Sequence, residues 1–334
     1  MISKNDLAEC LEVSQNKLLD LRDSNVLILG ASGFVGRWLS NVLALSNLEL
    51  GTNIKIILAS RSPKNILNPG YVDKNISFLP LDLLNLTNTK LEKFDFAFHL
   101  ATPSVPQTGG LDAEAVYTTT INATQLLIEN AIMNGNKPAI LHASSGGVYE
   151  HAQRRQLITE ENMNIAAKTL EHNYTNAKIE AERLMLESTN RGEIRGTSPR
   201  LFAFFGPGIS LNDHFAIGNF MRDKQAGRDI QVKGNPKTTR SYLYPTDLVN
   251  WILAAILKPS SEATHIGSEE TISMKDLAEV VSQKKVEVNY LNPDAPESHY
   301  VPSTTNTRKR LGVSQRVSLE DGLVRWQKFL KLTP

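Results

Sequence analysis

Tyr174 and Lys178, in the pentad Tyr174-Thr175-Asn176-Ala177-Lys178, carry the chemistry this sequence offers most plainly. On a helix, side chains four positions apart lie one above the other on one face, so a phenol and an ammonium meet. A phenol beside a fixed positive charge can pass a proton to or from a neighbouring oxygen. An ordinary tyrosine has a pKa near ~10, and bringing it to ~7 takes about 4 kcal/mol in favour of the phenolate. A unit charge ~4 Å away supplies about that much at an effective dielectric of ~20. The spacing alone is common, and a surface helical pair would look the same. It becomes informative when a hydride carrier can be seated nearby.

Such a seat is written upstream, in Gly30-Ala31-Ser32-Gly33-Phe34-Val35-Gly36. The apolar run Asn25 to Leu29 stops at Gly30 as a buried parallel strand would. Trp38, Leu39, Val42 and Leu43 then follow at helical spacing. Strand, glycine turn and helix is the context of a dinucleotide site. Gly30 allows the tight turn, Gly33 lets backbone amides approach a pyrophosphate, and Gly36 lets the helix sit close to the sheet. Ser32, Phe34 and Val35 belong to the same cradle, at a helix N-terminus that offers free N–H groups to an anion.

A second strand, Ile54 to Ala59, ends in Ser60-Arg61-Ser62. A carboxylate there would bind a ribose 2′-hydroxyl and repel a 2′-phosphate. None is present; Arg61 can instead form a bidentate pair with a phosphate, helped by the Ser60 and Ser62 hydroxyls. Arg37 is expected as a second cation on that rim. The balance favours NADP over NAD.

The elements needed to position these groups fit the chain. It has 334 residues, 41% of them apolar, enough for a buried core and about two domains. The formal charge of +1, with no polybasic run, gives no indication of nucleic acid or an anionic membrane as a partner. Cys10 is the only cysteine, so no internal disulfide can form and a reducing cytoplasm is expected. The N-terminus lacks the apolar core of a signal peptide, and Leu248 to Leu257 is too short to span a bilayer. Residues 3–20 read as a helix, with Ser3 and Asp6 resembling a capping box and Leu7, Cys10, Leu11, Leu18 and Leu21 on one face. That helix is expected as an appendage on the main domain. His99, inside the apolar run Phe94 to Thr102, reads as a packed core histidine. The loop Ser144-Ser145-Gly146-Gly147 is not a hydrolase elbow, because Gly-x-Ser-x-Gly is absent. No metal is expected.

In this order and about 140 residues apart, the glycine turn and the Tyr-x-x-x-Lys pair resemble the extended short-chain dehydrogenase/reductase family, the NAD-dependent epimerase/dehydratase type that modifies nucleotide-activated sugars. The resemblance covers about residues 24–330. It implies a Rossmann-type doubly wound parallel sheet (an α/β fold) with a smaller C-terminal substrate-binding domain. The expected boundaries are 1–23 for an N-terminal helical extension, 24–206 with return segments about 241–268 for the cofactor domain, and 207–240 with 269–334 for the substrate domain. Asp82 and Leu83 would lie against the adenine, and Leu100, Ala101 and Thr102 under the cofactor. Asn122 matches a family asparagine that is usually structural. Ser144 to Tyr149 matches the family's Ser-Ser/Thr-x-x-Val-Tyr segment and makes Ser145 the catalytic hydroxyl beside Tyr174 and Lys178, with Lys178 also holding the nicotinamide ribose. Ser145 and Tyr174 would touch substrate, and Arg240, in Gly234 to Asp247, would grip a sugar-nucleotide diphosphate. A homodimer is implied, with helices near 112–134 and 174–190 pairing across a two-fold axis.

Four positions depart from the family or sort its members. The 4,6-dehydratases carry Asp and Glu after the catalytic hydroxyl, where this chain has Gly146 and Gly147. Glycine moves no proton, so dehydration is disfavoured, and the missing glutamate tells against the UDP-glucuronate decarboxylase type. Small residues there resemble the 4-epimerases and the 4-keto-sugar reductases; Ser60-Arg61 favours an NADP-dependent reductase. An NAD-dependent 4-epimerase is the alternative, and a non-catalytic NADP(H)-binding relative the second. Ala203 replaces a substrate-touching asparagine, and Glu150 stands where glycine is usual.

Overall fold

The computed structural model describes residues 2–62, 65–86, 89–102, 113–149, 156–161, 174–211 and 215–332. Glu150 and most of the polar stretch to Asn173 lie outside the described residues. The first half comprises α1 (Lys4–Leu19), β1 (Asn25–Leu29), α2 (Phe34–Leu50), β2 (Lys55–Ser60), β3 (Ile76–Pro80), β4 (Phe96–His99), α3 (Ala113–Asn134), β5 (Ala139–His142), β6 (Ser144–Ser145), a 3-10 turn (Gly146–Val148) and α4 (Tyr174–Asn190). Then come β7 (Arg195–Thr197), β8 (Arg200–Leu201), α5 (Ala216–Gln225), β9 (Ile230–Val232), β10 (Thr239–Arg240), α6 (Pro245–Leu257), β11 (His265–Ile266), β12 (Ile272–Ser273), α7 (Met274–Ser282), β13 (Val288–Tyr290), β14 (His299–Tyr300), α8 (Thr305–Leu311) and α9 (Leu319–Leu332).

Among the described residues the largest sheet has six strands, all parallel, in the order β3-β2-β1-β4-β5-β7. This is the doubly wound arrangement expected from the sequence. The direction of winding reverses between β1 and β4, which opens a crevice at their carboxyl ends. Side chains alternate along β1: Val26 and Ile28 join one core with Trp38 and Leu39 of α2 and Val249 and Ile252 of α6. Leu27 and Leu29 face the other way, onto Ala123 and Leu127 of α3 and Met185 of α4. Both faces are covered, which is why these strands read as unbroken apolar runs.

A third core, built on Phe205, Ile217, Tyr242, Tyr244, Leu277 and Trp326, holds α5, α7 and α9 together. Two small sheets flank it: β11-β8-β6, all parallel, carries Ser145, and β12-β10-β14 carries Arg240. Helix α6 starts at Pro245, ahead of the apolar run that announced it, because proline suits a first helical turn.

Helix α1 is more than an appendage. Leu7, Cys10 and Leu18 belong to the first core, and the helix packs on both α6 and α2. Ser3 caps it by accepting the Asp6 amide at 3.4 Å. The Asp6 carboxylate, expected to complete a capping box, accepts from the Tyr244 hydroxyl at 2.8 Å instead. No helix among the described residues is long and apolar enough to cross a membrane.

Candidate functional site

The crevice between β1 and β4 is floored by backbone. Gly30 has φ +86°, and a Cβ there would lie 2.7 Å from the Ala101 nitrogen, so the turn and the end of β4 touch only because residue 30 has no side chain. A Cβ on Gly36 would overlap the Gly30 carbonyl oxygen. Gly33 caps α2 without a side-chain hydrogen bond, leaving the first amides of the helix to an outside acceptor. Ser32 is exposed, Val35 half-buried, and Phe34 stacks on Phe204 at 5.2 Å.

At the rim, Ser60 is buried at the end of β2 and its hydroxyl has no partner among the described residues. Arg61 is exposed beside it. Asp82 turns its carboxylate onto the Asn85 amide at 2.8 Å and the Leu84 N–H at 3.1 Å. Those two bonds, with a smaller contribution from the Arg61 charge, hold the carboxyl below its usual range. Leu83 is buried, and its carbonyl accepts from Asn122 at 3.0 Å, the structural use expected of that asparagine. Arg37 departs from expectation: it donates to the Gly208 carbonyl and braces α2 against that segment. Burial lowers its pKa.

Ser145, Tyr174 and Lys178 come together where β5 and β6 meet α4. Ser145 accepts the Gly147 amide at 3.0 Å, and its hydroxyl lies near enough to the Tyr174 phenol to lower its pKa. The Lys178 ammonium donates to the Ala143 carbonyl at 2.6 Å and to Thr102 Oγ1 at 2.8 Å, and lies 5.7 Å from the Tyr174 ring centre. It is thus fixed against the strand ends bordering the crevice, next to Leu100 and Ala101.

The electrostatics differ from the simple charge-pair argument. Burial pulls Lys178 down to about 7, against the opposing pull of Glu182. Burial also raises Tyr174 above the ordinary phenol range, with the Ser145 hydroxyl acting the other way. A lysine that is itself reluctant to hold its charge does not by itself make this tyrosine acidic. The sequence gives the spacing of the pair, but the burial that sets both values is a tertiary property. Beneath them, His99 and His142 face each other in register on β4 and β5, ring centres 4.7 Å apart. Burial, and next the Lys178 charge, lower His99 to about 3 and hold His142 well below its usual value. His99 is the core histidine expected.

One site residue escaped the sequence. Tyr300, on β14, packs its ring 4.8 Å from that of Phe202, lies under the Arg240 guanidinium at 5.8 Å and is close enough to the Ser145 hydroxyl for that group to act on its phenol. Burial raises its pKa. Nothing around it forms a motif; only the pairing of Arg240 with Tyr300 across β10 and β14 brings it in. Arg240 itself donates to the Thr239 carbonyl at 2.8 Å and to Ser298 Oγ at 3.0 Å. The rest of its motif is structural: Tyr244 bonds Asp6, and Asp247 accepts the Arg316 and Val317 amides at 3.0 Å. On the reverse face of β10 and β14, Thr239, His299, Lys237 and Lys275 help line a cavity of about 550 Å³ that shares no residue with the Ser145 group.

The arrangement can exchange a proton with an oxygen held between two hydroxyls, beside a backbone cradle suited to a dinucleotide. The sequence profile of the NAD dependent epimerase/dehydratase family matches residues 26–267. UDP-glucuronic acid decarboxylase 1 of Xenopus tropicalis is 24% identical over 318 residues, covering 92% of this chain and 72% of the relative. Among solved structures, the epimerase Mth375 of Methanothermobacter thermautotrophicus superposes with a TM-score of 0.81 at 21% identity, over 96% of both chains. UDP-glucuronic acid 4-epimerase of Bacillus cereus, solved with UDP-glucuronic acid and NAD, gives 0.74 at 22% identity, over 93% of this chain and 100% of that one. The chain therefore belongs to the NAD-dependent epimerase/dehydratase family.

Proposed function

We propose that this protein is an NAD(P)-dependent oxidoreductase of a nucleotide-activated sugar, reducing a 4-keto group with Tyr174 as the proton donor. The observation that carries the reading is the meeting of the Tyr174 and Ser145 hydroxyls with the buried Lys178 ammonium at the edge of the β1–β4 crevice. Gly30, Gly33 and Gly36, with the amides that open α2, fit a dinucleotide pyrophosphate; the Ser60 hydroxyl, without a partner among the described residues, and Arg61 suit a ribose 2′-phosphate. A bound nicotinamide supplies the hydride.

In this reading Ser145 holds the carbonyl oxygen and Tyr174 delivers the proton. Lys178 reaches the ribose hydroxyls, and its charge offsets the phenolate left behind. Burial lowers Lys178 to about 7 and raises the phenol, so a phenolate forming beside Lys178 would favour the charged form of the lysine. Arg240 is the anchor for the diphosphate. The division into a cofactor half and a substrate half, the cytoplasmic location and a homodimer joined through α3 and α4 are parts of the same proposal. Exposed Ile132, Met133 and Leu186 on those helices are apolar surface that such a dimer can cover.

A 4-epimerase that keeps NAD bound is the second reading, supported by the likeness to solved 4-epimerases. The named activity of several relatives, decarboxylation, needs a carboxylate that Gly146 and Gly147 do not supply. The test is to incubate purified protein with a panel of nucleotide sugars and 4-keto sugars, with NADPH or NADH. NADPH consumption with a keto sugar supports the reductase. Interconversion without net cofactor use identifies the epimerase, release of carbon dioxide overturns both, and binding without turnover indicates a non-catalytic relative.

A further inference from the structure

The segment carrying Ser145 is tied at both ends to one ion pair, between a buried Arg200 and a half-buried Glu182. Ahead of Ser145, the Ser144 hydroxyl donates to Glu182 Oε1. Beyond it, the Tyr149 hydroxyl accepts from Arg200 Nη1 at 2.6 Å. Arg200 grips Glu182 with a two-point fork, Nε to Oε1 at 3.0 Å and Nη2 to Oε2 at 2.7 Å, and only 6% of its side chain is exposed. The chain of bonds continues outward: Tyr149 donates to His265 Nε2 at 2.6 Å, and His265 Nδ1 donates to the Ser303 carbonyl at 2.9 Å. Burial keeps His265 below its usual value, in line with that neutral tautomer.

Glu182 also stands one helical turn beyond Lys178 on α4, as Lys178 stands one turn beyond Tyr174. A buried ion pair adds little net stability over a well-packed apolar pair, so its use is to be sought in placement. We propose that Glu182 is a positioning residue: through Ser144 and Arg200 it fixes the Ser145 segment against α4, and from the same helix it is the counter-charge that sustains the Lys178 ammonium. Among the described residues no other acidic group acts on Lys178. The titratable groups facing Lys178 are Tyr174 and Glu182 on α4, His99 on β4 and His142 on β5, and burial holds both histidines neutral.

The proposal rests on the dinucleotide reading of the crevice, so the experiment separates the two. NADPH affinity of the wild-type protein and of Glu182→Gln is measured by cofactor fluorescence between pH 5.5 and 9, with thermal unfolding recorded alongside. Wild-type affinity is expected to fall as pH rises and Lys178 loses its proton; in Glu182→Gln the fall moves to lower pH by about one unit. Arg200→Lys keeps the charge but loses the fork, so it leaves the position of that fall unchanged. A Glu182→Gln protein that is merely less heat-stable, with the pH position unmoved, overturns the proposal. Should neither form bind NADPH or NADH, the functional reading fails. Lysine ¹³C-methyl NMR, with the Lys178 signal assigned from Lys178→Arg, then decides the question alone: a lowered titration in Glu182→Gln supports the counter-charge, and an unchanged one refutes it.

Discussion

A methyl group built on Gly146 would stand 2.7 Å from the phenolic oxygen of Tyr300 and 2.7 Å from the Phe202 ring. The volume a residue-146 side chain would occupy is filled from a distant strand by a hydroxyl that lies close to Ser145. Gly146→Ala must therefore displace Tyr300, Phe202 or its own backbone. We expect a stability loss of about 1–3 kcal/mol in urea unfolding, as overpacking of a core costs. Turnover should fall at least as sharply, because the shift passes through Ser145. A variant with wild-type stability and rate would show that Tyr300 is free to move aside.

Tyr300→Phe keeps the ring against Phe202 and under Arg240 but removes the hydroxyl that Ser145 acts on, and with it any hydrogen bond the two form during turnover. A single neutral hydrogen bond is worth about 1 kcal/mol, so kcat/KM should drop roughly fivefold. The loss should appear in kcat, since the Arg240 contacts are untouched. A change confined to KM would make Tyr300 a substrate-binding surface with no part in placing Ser145.

The contrast between Tyr174 and Tyr300 explains what the sequence made legible. Tyr174 declares itself because its partner is one helical turn away, and the glycine turn declares itself because strand, turn and helix are contiguous. Tyr300 enters through a two-residue strand paired with Arg240, a contact with no local signature. Arg37 had the right charge and address, but its orientation toward Gly208 depends on a segment far along the chain. The titration of Lys178 was beyond reach for the same reason: spacing gives the neighbour, while burial gives the sign.

Arg61 tests cofactor preference. Its charge is among the influences that lower Asp82, so removing it takes away the cation proposed for a 2′-phosphate and uncovers a carboxylate on the same rim. Arg61→Ala should weaken NADPH binding roughly tenfold, about the worth of a charge-assisted hydrogen bond, and leave NADH nearly unchanged. Equal effects on both, read from titrations of cofactor fluorescence, would remove Arg61 from the 2′-phosphate site.

Asp6 tests whether α1 is integral. Its carboxylate, 5% exposed, holds the fully buried Tyr244 hydroxyl, and Arg325 lies within 3.5 Å. Farther along, Cys10 and Ser14 bond the Thr246 carbonyl and the Asn250 side chain of α6. Asp6→Ala strands the Tyr244 hydroxyl and should cost about 1–3 kcal/mol. Arg325 keeps Glu9 and Asp321, so its loss is smaller. Asp6→Asn retains an acceptor for Tyr244 and should recover most of the stability. If Asp6→Ala unfolds at the wild-type urea concentration, α1 is dispensable packing.

Both ring nitrogens of His142 lack a partner among the described residues, and burial holds His142 and His99 neutral. An unfolded histidine titrates near ~6.5. As pH falls through that value the unfolded chain takes up protons that the folded one refuses, so stability declines, by about 2 kcal/mol per histidine at pH 5. Lys178 acts in a higher window. Its folded value of about 7 lies below the ordinary 10.5, so the cost of burying its charge is fully present below 7 and is relieved as pH climbs toward 10.5. Both effects make the fold more stable from pH 5 to 9. His142→Leu removes one histidine and two stranded nitrogens while keeping an apolar filler between the strands. It should be at least as stable as wild type at pH 7 and flatter in urea midpoint between pH 5 and 6.5. A variant that loses stability at pH 7, or keeps the full acid slope, would show that His142 finds a partner or takes up a proton in the folded protein.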